Sequence, residues 1–197
     1  MHESLTIDPS RTAVLIMDFQ VDIVATYAST DGTLLARAAS VLETAREAAI
    51  PIVYVKVGFR PGYPEVSPRN ARFSKIKESG FLSGRGADIH PAVAPRPDDI
   101  VVVKHRVNAF AGTDLDLILR ANTIDTLILF GIATSGVVLS TVRHAADADY
   151  RLVVVSDCCA DRSPRVHECL IEDVFPTQAT VVKAADLLEA LPAQPRH

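Results

Sequence analysis

Cysteine is scarce in this chain of 197 residues: there are three, Cys158, Cys159 and Cys169, an odd number crowded into one region. That pattern excludes a secreted disulfide framework and suits reduced thiols. Clusters of lysine and arginine able to neutralise several phosphates at once are also missing, and 20 basic against 24 acidic side chains leave a net charge of -4. No nucleic-acid partner is expected. The longest apolar runs are too short to span a bilayer, and Met1-His2-Glu3-Ser4 does not open a basic stretch leading into an apolar one. The expectation is therefore a soluble, cytoplasmic protein with neither membrane span nor secretory signal. What the chain does have is 48% hydrophobic and 22% charged residues, the composition of one compact domain with a sizeable core, taken here as residues 1–197.

Apolar, β-branched runs of strand length alternate with segments whose apolar residues recur at helical spacing. The strands are expected at residues 12–18, Ile52–Val57, Ile100–Lys104, Thr126–Gly131, 152–156 and 180–183. A loop after the first leads to a helix whose stripe is Leu34, Leu35, Ala38, Val41, Leu42 and Ala45, ended by Pro51. Residues 58–99 are rich in Gly, Pro, Arg and Ser and too long for a plain connection, which points to a loop over a site or against a subunit, with a short helix near 69–77. Further helices are expected from Thr113 as N-cap, over 136–149, over 164–174 and over 184–191. Such alternation implies parallel pairing by right-handed crossovers: an α/β fold, a three-layer α/β/α sandwich on a mainly parallel six-stranded Rossmann-like sheet.

Ligands of an open parallel sheet bind beyond the carboxyl ends of its strands. There stand Asp18, Phe19 and Gln20 after the first strand, Lys104 closing the third, the turn Gly131-Ile132-Ala133-Thr134-Ser135-Gly136 after the fourth, and Asp157-Cys158-Cys159 after the fifth. Two readings of Asp18 and Lys104 stay open: an acid-base group with its electrostatic partner, or two solvated strand-end residues. The glycine-led turn directs backbone N–H groups at the sheet edge and suits an oxyanion or carboxylate. It lacks the Lys-Ser/Thr ending of a phosphate loop.

Taken together, Asp18-Phe19-Gln20, the stretch 104–115 beginning Lys104-His105-Arg106 and running through Ala109-Phe110, and the stretch 131–138 resemble the isochorismatase-like hydrolase superfamily of cysteine hydrolases. The resemblance implies an Asp-Lys-Cys site, with Asp18 and Lys104 as its charged pair and a cis peptide at Ile132-Ala133. It places the nucleophile on Val137, which can attack no carbonyl. It further implies oxyanion donors at the N–H groups of Ala133 and Val137, and matches Lys104, Arg106, Ala109 and Phe110 to the pattern of isochorismatase itself, which also lacks the cysteine and hydrolyses a vinyl ether.

The loop after the second strand, Gly58 to Tyr63, has neither His nor Asp, so no metal and no other cofactor is expected. Gln20, Arg60, Arg106, Phe110, Thr134 and Ser135 are the candidate substrate-binding residues, the arginines as planar forks for carboxylates. His144 is assigned to packing or an interface, and Cys169 to the core. Phe59, Tyr63 and Phe81 are read as exposed apolar loop residues that suit a homodimer or higher homo-oligomer. The leading function is hydrolysis of a small polar or anionic substrate, an isochorismate-like vinyl ether, without a covalent intermediate. The alternatives are a ligand-binding member without catalysis, and an amidase using Ser135, Cys158 or Cys159.

Overall fold

A computed structural model describes residues 5–28 and 32–191; the reading of the first four residues lies outside them. Six strands form one sheet: β1 (Thr12–Met17), β2 (Ile52–Val57), β3 (Ile100–Lys104), β4 (Thr126–Gly131), β5 (Arg151–Val155) and β6 (Thr180–Val182). Their order is β3-β2-β1-β4-β5-β6 and every pairing is parallel. Chain order reverses between β1 and β4, so the crevice at the carboxyl ends of these two strands is the topological switch point where open α/β sheets take ligands.

All six residues of β1 are buried, and β4 is nearly so, which is why both read as unbroken apolar runs rather than alternating ones. The sheet is covered by α2 (Thr33–Glu47), α4 (Leu115–Ala121) and α5 (Leu139–Asp147), among others. Right-handed crossovers put α2 on one face and α4 and α5 on the other, a three-layer sandwich. Of the stripe expected on α2, five residues are buried and Leu35 is half-buried. The last helix, α7 (Ala184–Ala190), packs beside α2.

Several boundaries differ from the sequence reading. A helix, α1 (Val21–Tyr27), follows β1 where only a loop was expected; it is short and has no capping side chain, so it carries neither signal by which a helix is read. The short helix of the long connection is α3 (Ala71–Ser79), started by Asn70, whose side chain accepts from the Phe73 N–H, and stopped by Gly80 in the left-handed region. Thr113 is not the N-cap of α4; Asp114 holds that position, while the Thr113 hydroxyl donates to the Ala109 carbonyl at 2.7 Å. The helix after β4 opens with a wide π turn over Thr134–Val138, and α6 (Pro164–Cys169) likewise runs on as a π turn over Leu170–Val174. Cys169 is exposed, because α6 turns that side to solvent, and so is not core. Phe59, Tyr63 and Phe81 are half-buried rather than exposed: Phe59 packs on Tyr63 at 5.3 Å and on Phe73 at 5.8 Å between ring centres.

Candidate active site

β1 ends at Met17 and the chain turns at once through Asp18, whose φ of 60° lies in the left-handed region that side chains other than Gly, Asn and Asp avoid. The turn is fastened by the Asp18 N–H, which donates to the Val55 carbonyl at 2.8 Å, and by the Ile132 N–H on the Met17 carbonyl at 3.1 Å. β4 runs alongside in register, Met17 opposite Gly131. A Cβ at Gly131 would lie 2.8 Å from the Met17 carbonyl oxygen, so only glycine lets the two strand ends lie this close. The Ile132-Ala133 peptide that follows is cis.

Lys104 closes β3 and is 1% exposed, with its ammonium group 2.9 Å from Asp18 Oδ2. It also donates to the carbonyls of Arg106 and Val107, each at 3.0 Å, so all three of its N–H bonds are engaged. Asp18 is different: Oδ2 is held by the lysine, while Oδ1 is buried without a hydrogen-bond partner. Burial pushes the Asp18 carboxyl above the ordinary carboxylate range, against the opposing pull of Lys104 and, more weakly, of Arg72. A carboxyl in that state holds a proton at higher pH than a solvated one and has one oxygen available for a ligand.

Asp18 and Lys104 line a cavity of about 40 Å³ together with Ile132, Ala133 and Val137. Its far wall comes from residues the sequence reading did not assign to the site: Tyr27 of α1, Arg72 and Ile76 of α3, and Phe81. These were hidden because α1 carried no helix signal and because nothing in residues 58–99 says which side chains fold over the sheet edge. Arg72 had one readable hint, its place inside the short helix expected near 69–77.

The candidate substrate-binding residues stand outside this lining. Gln20 is fully buried and spends its amide on the backbone, donating to the carbonyls of Val57 (2.9 Å) and Ala87 (2.8 Å) and accepting from the Val57 N–H (2.8 Å). Arg60 pairs with Glu65 in a separate groove beside β3. Arg106 donates to the carbonyls of Glu65 and His105. The Phe110 ring stacks on His144 at 4.6 Å. Thr134 is buried with its hydroxyl 2.8 Å from His167 Nδ1, and burial lowers the pKa of that imidazole despite the nearby acids Asp161 and Glu168. Ser135 is exposed, its N–H on the Asp161 carboxylate at 2.7 Å.

The thiols are likewise absent from the cavity lining. Cys158 and Cys159 are buried. Burial pushes the Cys159 thiol up to about 12 and Cys158 higher still, which leaves both un-ionised and inert as nucleophiles. Among the described residues no three His, Cys, Asp or Glu side chains converge as a metal site.

The structure thus sets a buried Asp-Lys pair at the switch point of a 3-2-1-4-5-6 α/β sheet, beside a cis-peptide turn. The isochorismatase domain family matches residues 12–186, and the chain belongs to that family of hydrolases. It is 33% identical over 176 residues to the isochorismatase family protein YwoC of Bacillus subtilis, covering 89% of this chain and 92% of the relative. It is 31% identical over 186 residues to the ureidoacrylate amidohydrolase RutB of Rhizobium rhizogenes, covering 82% of this chain and 75% of RutB. Its fold is similar to that of an isochorismatase family protein from Burkholderia thailandensis, with a TM-score of 0.82 at 30% identity over 96% of this chain and 99% of the other. No helix among the described residues is long and apolar enough to cross a membrane.

Proposed function

We propose that this chain hydrolyses a small anionic vinyl ether of the isochorismate type by acid-base catalysis, without a covalent enzyme intermediate. The observation that carries this reading is the unpartnered Asp18 Oδ1, buried at the wall of a cavity that Val137, the residue matched by resemblance to the nucleophile, also lines. Protonated Asp18 gives its proton to the terminal vinylic carbon, and the double-bond pair becomes the new C–H bond. The ether oxygen shares a lone pair to form an oxocarbenium ion. Water adds to the ether-bearing carbon and returns a proton to the Asp18 carboxylate, and the hemiketal then breaks its C–O bond, its hydroxyl proton passing to the leaving oxygen, to release a ketone and an alcohol. Lys104 stabilises the carboxylate that Asp18 leaves behind, which is the task suited to an ammonium group already holding Oδ2. Its saturated donors leave Oδ1 as the catalytic face. The scheme calls on no metal or organic cofactor.

The likeness to a ureidoacrylate amidohydrolase favours a second reading, hydrolysis of a ureide or amide, in which water rather than a thiol attacks because Val137 has none to offer. Reaction in deuterium oxide separates the two. Hydrolysis of 2-phenoxyacrylate by the proposed route yields phenol and pyruvate with one solvent deuterium in its methyl group. Turnover of ureidoacrylate with no reaction of vinyl ethers would replace the first reading by the second. Residence in the cytoplasm and assembly into a homodimer or higher homo-oligomer belong to the same proposal. Self-association is supported by the open edge strand β3, where Val101 and Val103 are 44% and 45% exposed.

A further inference from the structure

The turn after β4 has two sides. Ile132, Ala133 and Val137 line the catalytic cavity with Asp18 and Lys104, whereas Thr134, Ser135 and Gly136 between them line none of it. Two of these three are bonded the other way, to the segment that runs from β5 into α6. The Thr134 N–H donates to the Ala160 carbonyl at 2.8 Å, and the Ser135 N–H to Asp161 Oδ2 at 2.7 Å. Against its own burial, the Asp161 carboxyl is held below the ordinary carboxylate range by Ser135 and by the N–H groups of Ser163 and Arg162, so it stays an acceptor near neutral pH. The third tie joins two side chains. Thr134 Oγ1 lies 2.8 Å from Nδ1 of His167, which is half-buried on α6. Thr134 itself is fully buried, and among the described residues its hydroxyl has no other partner. The hydroxyl therefore donates to Nδ1, which assigns the proton of the neutral ring to Nε2. Burial favours that neutral ring, against the pull of Asp161 and, from its own helix, Glu168. The turn packed against α6 adds no titratable side chain between Ile132 and Val138.

We propose that His167 is a positioning residue of the active site: its neutral ring accepts from Thr134 and so keeps the turn after β4 in place beside Asp18, and a proton on the ring releases that hold. A protonated imidazole carries N–H on both nitrogens and has no lone pair to offer. The Thr134 hydroxyl, buried and without a second acceptor, is then an unsatisfied donor, and moving the residue is the way to relieve it. Thr134 follows Ala133 directly, so its movement reaches the cavity wall. His167 lines no part of the cavity and acts only through Thr134. In the proposed reaction Asp18 sets the alkaline limb of activity and His167 the acid limb. That effect on turnover rests on the acid-base reading of Asp18, while the coupling of ring to turn stands without it.

The test follows the His167 ring and the amide groups of Ala133, Thr134 and Val137 by ¹⁵N NMR from about pH 8 to about pH 5. Wild type is compared with His167→Asn, His167→Leu and Thr134→Val, and with Asp18→Asn, which removes the other titrating group at the cavity. In the wild type the three amides should show a step at the midpoint of the ring, below the ordinary histidine value. Asp18→Asn should keep that step and His167→Asn should lose it. Thr134→Val should raise the midpoint of the ring, since a hydrogen bond to its neutral form is gone. Activity is read as kcat and KM on 2-phenoxyacrylate, or on ureidoacrylate where that is the compound turned over. His167→Leu and Thr134→Val should lower kcat about tenfold to a hundredfold with KM little changed. His167→Asn, whose side-chain carbonyl accepts at the place of Nδ1 and does not titrate, should recover most of that loss and have no acid limb. Circular dichroism verifies that each variant is folded. Turnover of neither compound would retire the proposed reaction and leave the amide titration to decide this inference alone. Amides that ignore the ring, a step or an acid limb that survives His167→Asn, or a ring midpoint indifferent to the Thr134 hydroxyl would overturn it.

Discussion

Asp18 shows how one side chain is divided between two tasks. Its Oδ2 anchors it to Lys104, and its Oδ1, buried without a partner, serves chemistry in the proposed reaction. Asp18→Asn keeps the shape but can neither give nor take the proton, so kcat should fall by about two to four orders of magnitude with KM little changed. Steady-state kinetics on 2-phenoxyacrylate check this, and an unaltered kcat would remove Asp18 from the mechanism. The pH dependence follows from the direction of its shift. In the proposed reaction the acid form is the active one, and burial raises its pKa, so as far as Asp18 decides it activity should be retained at low pH and lost as pH rises through that raised value. The charge of Lys104 pulls the pKa down, so Lys104→Met should move the alkaline limb of the residual activity to higher pH while lowering the rate throughout. A limb that stays in place or moves down would separate the lysine from this role. The cysteines give a third expectation at this scale. Iodoacetamide should label the native protein at Cys169, the exposed thiol, and leave hydrolysis intact. Peptide mapping reads the site, and inactivation with labelling of Cys158 or Cys159 would restore a thiol mechanism.

Among the elements, the close meeting of β1 and β4 determines whether a site forms at all. Gly131→Ala inserts a methyl group against the Met17 carbonyl and Cβ and should cost about 1–3 kcal/mol of stability, with a larger proportional loss of activity as the cis-peptide turn is displaced from Asp18. Urea unfolding measures the first and kinetics the second; an alanine variant with wild-type values for both would show that the strands can separate freely. The strands and the charged pair were legible in sequence for one reason. Buried parallel strands are continuous apolar runs, and charge at their carboxyl ends stands out against them. The far wall was not legible, since α1 has two buried residues and no cap, while α3 lies inside a long connection whose path is decided by tertiary contacts. The same blindness explains Gln20, Arg106 and Phe110. A polar or aromatic residue near a motif reads as a ligand, yet here each is satisfied by backbone or by another ring. What the sequence does not contain is the backbone geometry that claims those groups first.

At the scale of the whole molecule, the sheet is closed by helices on both faces yet open at β3. Beside that edge Val101 and Val103 remain uncovered on the face opposite Lys104, and Leu117 of α4 is 70% exposed. A second copy is the expected cover, since an uncapped apolar edge otherwise invites indiscriminate pairing. Sedimentation velocity should give an assembly larger than one chain, and Val103→Lys should shift it toward the monomer; a wild-type monomer at micromolar concentration would refute self-association.

Val137 has a consequence beyond mechanism. Cysteine hydrolases are silenced by oxidants, because the low-pKa thiolate on which they depend is the group that peroxide converts to sulfenic and then sulfinic acid. Neither cysteine nor methionine lines this cavity, and the two thiols nearest in the chain are kept protonated by burial. Under oxidative stress this hydrolase would go on working while thiol-dependent relatives stop. Electrophilic probes of the kind used to survey such enzymes would label it at the exposed Cys169 without silencing it.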